Sequence, residues 1–312
     1  MFTSVKRSAV LAREVVRLEP HYAGETEALA ALFDHPERAA TAALPDRIVA
    51  ARRGATLRAW GDGLPAWNAK ASERIGFLRQ IGQEPHLVRL GQRLLAADFG
   101  GTTLAQGLDA AGAVFAGDLI LERSVLGGAL RLDGADVLAR CDAADVRIGH
   151  EVTAEQARFA GPVVLAGATI ARSARFGYAA FMSDLILDRA RIDKEMWLRH
   201  ARIAGEIQMR GAHLRSDAGL GACLYGKAAS FDGTTFDDTV SFEGATFQDR
   251  LSLDGCVFGG RLRLAGLTLG AGLSVAGTRF RGEIIPPLDQ IVASASTPRE
   301  MLATLRKALS AE

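Results

Sequence analysis

Every eleventh residue from Leu104 to Phe280 is apolar. The series begins Leu104, Phe115, Leu126, Val137, Ile148, Phe159, Ile170 and Phe181, and it closes Tyr225, Phe236, Phe247, Phe258, Leu269, Phe280. Two further columns keep step with it. The residues four after each anchor (Leu108, Leu119, on to Leu273) and six after (Ala110, Leu121, on to Val275) contain no polar member. At 48% apolar composition, 49 such positions arise by chance on the order of 10⁻¹⁶ of the time. A fourth column, two before each anchor, is small, as at Ala113, Ala168, Ala245 and Cys256. The residue before that one is repeatedly glycine, from Gly101 and Gly112 to Gly266 and Gly277.

This pattern excludes a helix. At about 100° per residue, offsets of 0, 4, 6 and 9 point near 0°, 40°, 240° and 180°, which is no single face. A glycine in each repeat would also cost a helix about 1 kcal/mol every time. In extended chain, side chains alternate with period two, so offsets 4 and 6 share a face, as do 9 and 11. Glycine just before the small residue suits a corner that needs positive φ. Each 11-mer therefore reads as two short extended segments with a bend after each, stacking on its neighbours as repeat proteins do.

The unit small-x-Phe/Leu-x-x, as in Ala245-Thr246-Phe247-Gln248-Asp249 and Ala168-Thr169-Ile170-Ala171-Arg172, resembles the pentapeptide-repeat proteins. That resemblance implies a mainly β fold, a right-handed quadrilateral parallel β-helix whose central Leu or Phe and small residue both point inward. Two departures stand out. Steps between central residues alternate five and six (Phe242 to Phe247, then Phe247 to Leu253), and alternate units carry a larger residue in the small position, as Leu251 does. The alternation predicts 22 residues per coil, in preference to 20 or to a three-sided coil of 33, and about eight coils over residues 99–283.

The flanks read differently. Residues 1–98 form a mostly helical N-terminal domain or cap, with helices expected from Thr3 to Leu18, Gly24 to Phe33, Ala66 to Ile81 and Glu84 to Ala97. Arg47–Ala59 is expected to be extended. Residues 284–312 are a linker and a C-terminal helix. Thr297-Pro298-Arg299-Glu300 is a capping box with proline at the first helical position. Met301, Leu302, Leu305 and Leu309 make its apolar stripe. This helix either closes the last coil, whose core and strand edges need a lid, or makes a homodimer interface, as terminal elements do in some members of the family that the chain resembles.

Composition narrows the function. Thirty-seven basic and 36 acidic residues leave a net charge of +1, so nothing points generally to nucleic acid or to an anionic membrane. No stretch reads as a signal peptide or membrane span, and a cytoplasmic location is expected. Cys141, Cys223 and Cys256 sit in inward columns without CxxC spacing and read as packing residues. The six histidines show no clustered spacing and read as solvated surface residues. No cofactor or metal is expected. Gly219-Leu220-Gly221 reads as a corner adjustment.

Two charged stretches lie in outward positions. Residues 189–215 carry seven basic residues against three acidic ones, with Trp197 among them. Trp197, Arg191, Arg199, Arg202, Arg210 and His213 are the candidate partner-binding residues, since exposed tryptophan with arginine is the composition of an interface hot spot. The plainer reading is a solvated basic face with Trp197 lying flat on a neighbour. Residues 232–254 carry six acids against Arg250.

The favoured function is a non-enzymatic protein–protein interaction module or scaffold. The resemblance suggests a second reading, a DNA-mimic protein directed at gyrase or another topoisomerase. A third, a carbohydrate-active β-helix enzyme, needs converging acids, and Asp184, Asp188 and Asp193 occupy different phases.

Overall fold

The computed structural model describes residues 2–285. The chain forms two compact units. One comprises the residues up to Gly100 with Ala113–Ile120 and Val137–Arg140; the other comprises Gly101–Gly112, Leu121–Asp136 and the residues from Cys141 on.

The first unit is helical up to Leu94. It contains α1 (Phe2–Leu18), a 3-10 turn (Pro20–Glu25), α2 (Thr26–Asp34), α3 (Pro36–Ala39), α4 (Asp46–Gly61), α5 (Leu64–Gln80) and α6 (Pro85–Leu94). The expected extended segment at Arg47–Ala59 is thus a helix. Its buried stripe is Ile48, Arg52 and Thr56, spaced four apart but mostly polar, so hydrophobic periodicity does not reveal it. The last helix also stops three residues before the expected Ala97, because Ala97–Asp98 already pairs as a strand with Leu119–Ile120.

Tyr22, Leu29, Phe33, Ile48, Phe77 and Leu90 anchor the apolar core of this unit. The Tyr22 hydroxyl donates to Leu94 O at 2.9 Å, which satisfies a carbonyl at the end of α6. Asp98 is fully buried and accepts from Arg52 Nη2 at 2.7 Å and Arg53 Nε at 3.2 Å. Trp67 donates its indole N–H to Val114 O at 3.0 Å, and Asn68 Oδ1 accepts from Val114 N at 2.9 Å.

From Ala97 to Ile285 the chain is a parallel β-solenoid of about nine turns. Its two- and three-residue strands fall into four sheets of nine, nine, nine and eight strands. The sheets are named here by order of appearance, starting from Ala97–Asp98, Thr103–Leu104, Gly107–Asp109 and Val114–Phe115. Partners lie 22 residues apart, as Val163 does from Leu185 and Phe236 from Phe258. This is the expected coil length. The turn count exceeds the expected eight because strand pairing begins at Ala97 and continues to Ile285.

All members of the three apolar columns are buried except Leu104, Leu273 and Phe280. Aromatic rings stack between adjacent coils, Phe159 on Phe181 at 5.1 Å and Tyr225 on Phe247 at 4.3 Å, both nearly parallel. The corner column is uniform. At all seventeen positions from Gly101 to Gly277, eleven apart, φ lies between 52° and 69°. Ten are glycine, and Arg123, Asp145, Gln156, Tyr178, Arg189, His200 and Ala222 take the same conformation. The next column, the small one, sometimes carries a polar atom that donates to a carbonyl, as Ser124 Oγ does to Leu121 O at 2.6 Å. Cys223 Sγ, Cys256 Sγ and Thr278 Oγ1 each donate to a carbonyl 25 residues back, at 2.8, 2.9 and 2.6 Å, and Thr234 Oγ1 does likewise.

Candidate functional site

A coil of 22 residues passes all four sides, so residues close in sequence part company. Arg191 and His213 stand in register on the second sheet. Trp197 lies on the third sheet and Arg199 two residues beyond it. Arg202 lies on the fourth sheet, and Arg210 follows the first-sheet strand Ile207–Gln208. The structure brings together Trp197 with Arg199, and Arg191 with His213, but not the six candidate residues as one patch. Several are also partnered within the solenoid. Arg191 pairs with Asp193 at 2.9 Å, Arg210 with Asp188 at 2.9 Å, and His213 with Asp237 at 2.8 Å. Among the described residues Arg199 makes no ion pair, and it is exposed.

The acidic stretch winds round in the same way. Asp237 binds His213 on the second sheet, and Glu243, two residues past the third-sheet strand, binds Arg263 at 3.0 Å. Asp254, just past a first-sheet strand, accepts Ser274 Oγ at 2.6 Å and Ala276 N at 2.7 Å. These acids join one coil to the next rather than forming a single strip. Asp184 and Asp188 likewise accept the backbone N–H of Glu206 and Arg210, each at 2.9 Å.

The third sheet carries the site. Its outward column reads Arg175, Trp197, Gly219, Ser241, Arg263 on successive coils. The indole of Trp197 covers Gly219: a Cβ on that glycine would stand 2.2 Å from Trp197 Cε3. Gly221 serves a different purpose, since a Cβ there would meet Glu243 O at 2.4 Å. Of Gly219-Leu220-Gly221, the expected corner adjustment, only Gly221 stands at a corner, just before Ala222 with its φ of 52°. Ala218–Gly219 is a strand, and the two glycines floor a notch.

The notch encloses about 300 Å³. Trp197 and Arg199 border one side, Glu243 and Arg263 another, with Asp217, Thr239 and Ser241 between. Glu243 is tied to Arg263 and receives Ser241 Oγ at 3.4 Å. Asp217, like Arg199, makes no ion pair among the described residues. The notch thus offers a half-buried aromatic face, one uncompensated cation and one uncompensated anion.

Burial favours the protonated form of the Cys223 and Cys256 thiols. It pushes the Cys223 pKa up to about 11 and that of Cys256 up to about 12. Of the histidines, His35, His86, His150 and His200 are exposed and His213 is half-buried, but His21 departs from the expected solvated placement. It lies within the helical unit with its side chain only 13% exposed. His21 follows Pro20 in the 3-10 turn, a placement no spacing motif marks. Asp217 was also missed: it stands two residues before Gly219 in the chain, but only coil-to-coil stacking sets it in one notch with Trp197 and Arg199.

The architecture defines a class, the four-sided parallel β-solenoids with inward Phe and Leu ladders. Within it, residues 225–268 match the family model described as pentapeptide repeats, in nine copies. No curated protein and no solved structure matches the chain. The matched segment holds Tyr225, Phe231, Phe236, Phe242, Phe247 and Phe258, the densest run of aromatic central residues in the solenoid. Elsewhere Leu, Ile and Val predominate in the same inward positions, with Phe115, Phe159, Phe176, Phe181 and Phe280 among them. Among the described residues, no helix is long and apolar enough to cross a membrane.

Proposed function

We propose that this chain is a non-enzymatic protein–protein interaction module or scaffold, built on a right-handed solenoid and working in the cytoplasm, with a partner protein docking on the third sheet at the Trp197 notch. The observation that carries the reading is the seating of Trp197 on Gly219 beside an exposed Arg199 that has no ion pair among the described residues. An indole already held against backbone loses little side-chain freedom when a partner covers it. Aromatic and arginine anchors beside a pocket are where interface energy concentrates. Arg199 and Asp217 favour a partner segment that presents an acid to one and a base to the other.

Affinity capture with the wild type and with Trp197→Ala plus Arg199→Glu tests the site. A partner held by the wild type and lost by the variant, with melting temperature unchanged, supports it. If every partner binds both proteins equally, the site is wrong. The assignment of Met301, Leu302, Leu305 and Leu309 to a lid or a dimer interface lies outside the described residues. Size measurement with and without residues 297–312 separates the two: a shift from dimer to monomer selects the interface, insolubility the lid.

A further inference from the structure

The helical unit contains a second cavity, of about 450 Å³, that the docking role does not use. It lies among the end of α1, the 3-10 turn, α4 and α5. Five cations line it (Arg17, Arg52, Arg58, Lys70 and Arg74) against three acids (Glu19, Asp62 and Glu73). Three of the cations are engaged. Arg52 binds Asp98 at 2.7 Å, Arg74 binds Glu19 at 2.5 Å, and Arg17 binds Glu14 at 2.9 Å and approaches Glu73 at 3.8 Å. Arg58 and Lys70 are exposed and make no ion pair among the described residues. Leu18, Pro20, Ala55, Ala59, Leu94 and Ala96 supply apolar wall between the charges.

We propose that this cavity binds a small organic phosphate monoester, with Arg58 and Lys70 as its principal charge partners. Three features select that class. Arg17, Arg52 and Arg74 are offset by Glu14, Asp98 and Glu19, which leaves Arg58 and Lys70 as two cations without an ion pair among the described residues, one for each charge of a dianion. Arginine and lysine are the usual ligands of phosphoryl oxygens, one as a planar fork and the other as a point charge. The volume falls within the range of small-molecule pockets, and the alkyl wall leaves room for an organic body beyond the phosphate.

His21 reports the field in this cavity. Its Nε2 is buried without a hydrogen-bond partner. Burial comes first among the causes that lower its pKa to about 4, followed by the charges of Arg74, Arg58, Arg52 and Lys70. Glu19 Oε2 lies 3.6 Å from Nδ1 but is committed through its carboxylate to Arg74, and Tyr22 packs against the ring at 4.0 Å. A bound dianion opposes those cations, so it raises the His21 pKa.

The test is calorimetric titration of the full chain at low ionic strength with glycerol 3-phosphate, inorganic phosphate and succinate, together with an NMR pH titration of the His21 ring. The expected result is saturable binding of glycerol 3-phosphate and, more weakly, of phosphate. Succinate should bind at least about tenfold more weakly than glycerol 3-phosphate. Arg58→Glu plus Lys70→Glu should weaken binding at least about tenfold, with the melting temperature little changed because both residues are exposed. The His21 pKa should rise with glycerol 3-phosphate in the wild type only. Absence of saturable binding, equal binding by the charge-reversed variant, or succinate binding as tight as glycerol 3-phosphate would each overturn the proposal.

Discussion

Residues 221 and 222 are neighbours at which glycine should be favoured over alanine for two different reasons, strain at one and a steric clash at the other. Ala222 sits in the corner column with φ of 52°. An L-residue in that conformation carries about 1–2 kcal/mol of steric strain, while glycine there costs about 0.4–1 kcal/mol through the freer unfolded chain. Ala222→Gly should therefore stabilise the solenoid by about 0.5 kcal/mol. Gly134 is the mirror case: φ is 63° and a Cβ would meet nothing within 4 Å, so only strain is added. Gly134→Ala should cost about the same 0.5 kcal/mol.

Gly221 has no positive φ, but an added Cβ would meet Glu243 O at 2.4 Å and Glu243 N at 3.0 Å. Backbone from the next coil cannot move aside without breaking ladder hydrogen bonds, and Gly221→Ala should cost about 2–3 kcal/mol. Guanidinium unfolding followed by circular dichroism in the β region reads all three, and thermal melts should follow at about 2–4 °C per kcal/mol. The reasoning fails if Ala222→Gly destabilises, or if Gly221→Ala is no more costly than Gly134→Ala.

Three other outcomes are expected. Asp98→Asn strips the buried Arg52 of its countercharge and should lower stability by about 3–5 kcal/mol, whereas Asp98→Leu with Arg52→Met should recover most of the loss; a denaturant midpoint close to wild type for the single variant would contradict the buried pair. Since the His21 pKa falls from 6.5 to about 4 on folding, the unfolded chain binds the extra proton and stability is lost as pH drops through that window, by up to roughly 3 kcal/mol. His21→Gln should flatten stability against pH between 6.5 and 4, and an unchanged profile would refute the assignment. Native protein should leave Cys223 and Cys256 unreactive toward a disulfide reagent at pH 8, with both reacting once guanidinium unfolds the chain; fast labelling of the folded protein would contradict their raised pKa values.

The solenoid was legible because its signal is repeated. One inward residue every eleven says little, but seventeen in register with two companion columns allow only stacked, two-sided extended segments. Coil length followed from the alternation of five- and six-residue steps, since two 11-mers close one four-sided turn. Corner geometry was half legible. Ten glycines marked it, but Arg123, Tyr178 and Ala222 adopt the same backbone without announcing it, because the ladder bonds on either side impose it.

The site was less legible, and the reason is geometric. Charge summed along residues 189–215 suggested one basic face, but winding sends Arg191, Trp197, Arg202 and Arg210 to four different sides. What meets Trp197 is Gly219, 22 residues on, and what walls the notch is Glu243, a coil further. The helical unit hides its chemistry in another way: Arg52 and Arg74 are buried cations whose partners, Asp98 and Glu19, lie 46 and 55 residues away. Local pattern dictates which way a side chain points along its own segment. Which side chains become neighbours depends on how many residues close a turn and on where distant opposite charges are buried together, and those are properties of the folded chain as a whole.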